Sequence, residues 1–120
     1  MRYLLSLVLI LMLFSCERAL PKDESVIKIP NHLLSEEVFT ELYYDAQLTE
    51  GAVRIEIGKG VKSKEISAYL YQQLFDKYGI TKDDFEANIR YYASDPEVMQ
   101  EIQTEVVNRL TLEESKLTNQ

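Results

Sequence analysis

Apolar positions along this chain follow two regimes. From Leu4 to Phe14 they run almost unbroken, with Ser6 the one polar interruption. Beyond Pro30 they recur at spacings of three and four, the pattern of helices that bury one face. Between the two, Glu17 to Pro30 carries mixed charges, Pro21 and Pro30, and no sustained period. That stretch reads as a tether reaching at most roughly 45 Å. Val26 and Ile29 are its candidates for docking onto the domain.

The periodic region predicts four helices. The first opens at Ser35 as N-cap, with Leu34 and Phe39 placed as a hydrophobic staple across it. Val38, Leu42, Ala46, Thr49 and Val53 form its expected inner face. Val53 to Ile57 alternates like a strand, yet no second strand exists to pair with it, so it is read as the end of this helix. A second helix follows Ser63, with Ile66, Leu70 and Leu74 on one side and Tyr71, Phe75 and Tyr78 beside them. Gly79 stops it, and Ile80 beyond can touch Phe75, as in a Schellman ending. Thr81 caps the third helix with Asp84 completing a capping box, and Phe85, Ile89 and Tyr92 make its face. Asp95 and Pro96 start the fourth, which turns Val98, Ile102, Val106 and Leu110 inward, with fraying expected after Leu112.

Short connections between helices favour antiparallel neighbours. The expected fold class is all-α, a small antiparallel bundle of about four helices over residues 31–120. It follows a leader at residues 1–15 and a tether at residues 16–30.

The leader gives the chain an address. One positive charge at Arg2 precedes an apolar run of about eleven residues, spanning roughly 16 Å as a helix, about half of a bilayer core. It therefore reads as a removable signal peptide and not a permanent anchor. Leu13-Phe14-Ser15-Cys16 resembles the lipobox of bacterial lipoproteins, in which the cysteine is acylated and becomes the new N-terminus. Cys16 is the single cysteine of the chain. Two or more acyl chains anchor stably where one does not, so Cys16 is expected to carry lipid, palmitate included, and to hold the protein on a membrane. With that thiol consumed, no disulfide is left for the exported domain, and its core has to suffice alone. Glu17-Arg18-Ala19-Leu20 lacks the acidic run that resembles surface-export signals, which places the expected site at the outer membrane facing the periplasm.

Charge narrows the partners. Removing residues 1–15 takes away only Arg2, so the formal charge moves from −7 to −8. A net negative domain is a poor candidate for nucleic acid and is expected to be repelled by anionic lipid surfaces. Its membrane contact is expected from the acyl chains. Its partner is expected to be another envelope protein.

Several stretches together resemble a family of Bacteroidota lipoproteins, the domain-of-unknown-function family 4296. They are Pro21-Lys22-Asp23 after the cysteine, Ile29-Pro30 before the first helix, Asp45 within it, Tyr78-Gly79-Ile80-Thr81 with Phe85, Tyr91-Tyr92, and Asp95-Pro96-Glu97. Order and spacing carry the resemblance, which implies a lipoprotein fold and supplies no activity.

Candidate chemistry is sparse. Asp45 lies on the apolar side of the first helix and needs a partner, for which Tyr92, Arg90 or Arg109 are available. One reading is a satisfied core-edge carboxylate. The other is a polar centre in a groove, where Asp45 with Tyr91 or Tyr92 orients a peptide or small ligand. The seven tyrosines after the leader fall mostly at core-edge positions. Gly58-Lys59-Gly60-Val61-Lys62-Ser63 lacks the spacing of a phosphate loop, which argues against a nucleotide. Arg54, Lys59, Lys62 and Lys64 nonetheless form a basic tip, a solvated loop unless an acidic partner or lipid headgroups meet it. His32 stands alone, without the donors a zinc site needs. No metal, cofactor or catalytic set is expected, and a non-enzymatic interaction module is the leading reading.

Overall fold

The computed structural model describes residues 28–118. The leader, Cys16 and the tether through residue 27 lie outside the described residues. Four helices follow in order: α1 Glu36–Gly58, α2 Ser63–Tyr78, α3 Lys82–Ala93 and α4 Pro96–Thr118, with no strand among the described residues. The all-α bundle read from the periodicity is what the chain forms.

Capping chemistry sets the boundaries. Ser35 Oγ accepts from the Val38 amide at 3.3 Å and starts α1. The strand-like Val53–Ile57 stretch is the last turns of that helix. Lys62 stands at the N-cap of α2 without a side-chain bond. Gly79, at φ 62°, ends α2 in the left-handed region, and the Ile80 amide reaches back to the Phe75 carbonyl at 3.1 Å. Thr81 and Asp84 close the expected capping box of α3. Asp95 accepts from the Glu97 and Val98 amides at the head of α4.

α1 packs on both α2 and α4, and α3 packs on α4. Asp45 bonds Tyr78 while Glu50 bonds Tyr71, so α1 and α2 run antiparallel. The core gathers Phe39, Leu42 and Ala46 of α1, Leu74 and Phe75 of α2, Ile80, Tyr92 of α3 and Ile102 of α4. Phe39 and Tyr92 stack with centroids 4.4 Å apart.

Three expectations are corrected here. Val38 points to solvent and Phe39, one residue and about 100° further round, takes the core position, because Phe39 finds the Tyr92 ring. Ile29 does not dock: it is 64 % exposed, and Leu34 is the residue of this segment that buries. Nor does α4 fray after Leu112. It continues to Thr118, helped by a Lys116–Glu113 pair and by Thr111, Ser115 and Thr118 hydroxyls bonded to carbonyls of the preceding turn. Its residues from 111 onward are nevertheless all exposed.

Candidate functional site

Asp45 is the residue on which the sequence places most weight, and α1 and α2 together determine its surroundings. Its partners are Lys77 and Tyr78, each at 2.6 Å from Oδ2, and not Tyr92, Arg90 or Arg109. Both come from the end of α2, which the antiparallel register brings beside the middle of α1. The Lys77 ammonium also lies 5.3 Å from the Tyr78 ring centroid, so the three side chains form one cluster. Burial raises the Asp45 pKa, but the bonds from Lys77 and Tyr78 more than offset it, and the carboxyl sits below its ordinary value. Burial and the neighbouring carboxylate push the Tyr78 phenol up, so it donates and stays neutral. Tyr71 behaves likewise, through burial and its bond to Glu50. Two phenol–carboxylate pairs thus pin the register of the hairpin.

Beside this cluster lies an open furrow of about 330 Å³. Only α1 and α2 line it, with Leu48, Ala52, Leu70 and Leu74 as its apolar wall and Asp45, Thr49, Gln73 and Lys77 as its polar groups. Leu48 is 48 % exposed although it faces this furrow.

Tyr91 and Tyr92 stand elsewhere. Tyr92 is buried against Phe39 and meets Tyr91 edge to face. Tyr91 lines a hollow of about 820 Å³ between the segment 28–31 and α3, with Asp83, Asp84 and Arg90. Asp45 does not line it. A third hollow of about 710 Å³ has Tyr71, Phe75 and Ile80 in its wall and Asp76, Thr81 and Lys82 among its polar groups.

The basic tip forms where α1 turns into α2. Lys59 pairs with Glu56 at 2.6 Å and Lys62 with Glu65 at 3.4 Å. Arg54 and Lys64 have no ion-pair partner among the described residues. His32 is exposed and lies 3.8 Å from Asp84.

Sequence reasoning missed Asn88. It is fully buried on α3, accepts from the Leu34 amide at 2.9 Å, and donates to the His32 carbonyl at 2.9 Å and the Asp84 carbonyl at 2.8 Å. The Tyr92 hydroxyl donates to the Leu34 carbonyl at 2.7 Å. These two side chains clamp the backbone of residues 32–34 onto α3. The one signal in the sequence was an asparagine four residues before Tyr92 on a face otherwise apolar.

Every buried side-chain nitrogen or oxygen among the described residues has a partner. No group of three or more metal-ligating side chains occurs among them. No described helix is long and apolar enough to cross a membrane. A family model described as Domain of unknown function (DUF4296) matches residues 30–116. No curated protein and no solved structure matches the chain.

Proposed function

The chain belongs to the DUF4296 family, whose description assigns no activity, and from its site we propose a non-enzymatic envelope lipoprotein that binds another envelope protein. The leader and Cys16 supply the address: acylation at Cys16, removal of residues 1–15, and a place at the outer membrane facing the periplasm, in the manner of Bacteroidota lipoproteins. The bundle supplies specificity. The observation that carries the binding role is the furrow between α1 and α2, apolar along Leu48, Ala52, Leu70 and Leu74 and covered by no other described element.

A furrow between two antiparallel helices suits an amphipathic helix of a partner, which lays apolar side chains between them and leaves its polar face wet. Gln73 in its lining then reads a polar position of the partner. A small ligand centred on Asp45 with Tyr91 or Tyr92 has less support, because Asp45 is satisfied by Lys77 and Tyr78 and Tyr91 opens into a different hollow.

A photo-crosslinking residue placed at Leu48 or Leu70 in living cells tests this. Both positions are expected to trap one partner of the same mass, while Gln100 on α4 traps none. Absence of an adduct at both, or equal adducts at all three, overturns the binding role. The address has its own test: Cys16→Ser loses fatty-acid labelling, and labelling that persists refutes lipidation at this residue.

A further inference from the structure

We propose that the tip joining α1 to α2 is a membrane-interface wedge, which inserts apolar side chains among anionic lipid headgroups while its lysines and arginine hold the phosphates. Ile55, Ile57 and Val61 are exposed there, at 59, 41 and 39 %. β-branched aliphatics gain nothing from water, and none of these three belongs to the core. Arg54, Lys59, Lys62 and Lys64 are interleaved with them or adjoin them along the chain, four cations against the two carboxylates Glu56 and Glu65.

Charge decides the occupant. The whole chain carries −7, so a local excess of cations makes this end the one that an anionic surface attracts, while the rest is repelled. The average charge that argues against lipid contact therefore orients the molecule instead of keeping it away. Each Lys or Arg near an anionic leaflet is drawn to it, and the attraction falls off within a Debye length.

The backbone of the tip is prepared for a poorly hydrated place. The Lys59 amide bonds the Ile55 and Glu56 carbonyls, the Gly60 amide the Ile57 carbonyl at 2.9 Å, and the Val61 amide the Glu56 carbonyl at 3.1 Å. Gly60, at φ 93°, permits this tight closure. Three consecutive amides thus need no water, which lowers the cost of taking this part of the turn into the interface. Insertion reaches only the headgroup and acyl boundary, as for other basic amphipathic segments.

The experiment reads the tip directly in the full, membrane-reconstituted chain. An environment-sensitive fluorophore is attached at Ile57→Cys, and in a second variant at Val61→Cys so that one failed fold does not decide the outcome. Vesicles are either pure phosphatidylcholine or about one third phosphatidylglycerol. On the anionic vesicles the emission shifts to the blue and quenching by aqueous acrylamide falls about threefold or more. Neither change occurs on neutral vesicles, in about 1 M salt, or with Lys59→Glu/Lys62→Glu, and a label at Gln100→Cys stays wet throughout. A tip equally wet on both vesicles overturns the wedge, as does one equally dry on both. A tip that dries against polyglutamate and not against anionic vesicles overturns it too, and gives the surface to an acidic protein. These outcomes are independent of adducts at Leu48 and Leu70, so wedge and furrow stand or fall separately.

Discussion

At the scale of single residues, Asn88 and Asp45 illustrate two ways a polar side chain survives at a core. Asn88 is fully covered and spends its amide on backbone groups 54 and 56 positions away. Asn88→Ala leaves the Leu34 amide and the His32 carbonyl without partners, and the expected loss is about 2–3 kcal/mol in urea unfolding with an unchanged m-value. Asn88→Asp keeps the acceptor and loses the donor, so it does not rescue. Tyr92→Phe keeps the stack on Phe39 and costs only about 1 kcal/mol. Asp45 instead works through charge. Its folded pKa lies below the unfolded value, so its contribution is fully present above the ordinary carboxyl range and is lost as pH falls through the lowered folded value. The stability difference between the wild type and Asp45→Asn is therefore constant above about pH 5 and shrinks below about pH 4. A difference that instead grew as pH fell would contradict the Lys77 and Tyr78 assignment.

At the scale of elements, what was legible depended on how local the cause was. Ser35, Thr81 with Asp84, Asp95 before Pro96, and Gly79 each bond within a turn or two of themselves, so the starts of α1, α3 and α4 and the end of α2 follow from neighbours in sequence. The rotation of α1 was less legible, because Val38 and Phe39 are both apolar and only Tyr92 on a distant helix decides between them. The partners of Asp45 were not legible at all: they depend on the register of α1 against α2, which Glu50 and Tyr71 help to fix from 21 positions apart. Two glycines give opposite predictions. Gly51 sits inside α1 with nothing within 4 Å of an added Cβ, so Gly51→Ala is expected to stabilise by about 0.5–1 kcal/mol. Gly79 also has open space, yet its φ of 62° makes Gly79→Ala destabilising by about 1 kcal/mol or more. Thermal unfolding of the pair reads the sign of each.

At the scale of the molecule, the two long helices are unequally used. α1 and α4 have 23 residues each, about 34 Å of helix. The clamped segment precedes α1 and the basic tip follows it, so the clamp and the proposed wedge stand at opposite ends of this helix. On α4 the covered stripe runs through Ile102 and Val106, both at 2 % exposure, and half-buried Leu110. The Arg109–Glu41 pair ties this part to α1. Beyond Leu110 the same face carries Glu113, and Leu117 after it is 74 % exposed: the apolar stripe breaks where the burial ends. Periodicity in sequence therefore marks which face of α4 is apolar, and α1 and α3 pack on that helix. A chain ending after Leu112 loses helical turns that pack on nothing, and its stability is expected to fall by less than about 1 kcal/mol. Ile102→Ala, which removes one side chain from the covered part, costs about 2–4 kcal/mol. Urea unfolding of both decides the matter: if the truncation proves as costly as Ile102→Ala, the last turns of α4 are docked and the stripe ends further along than Leu110.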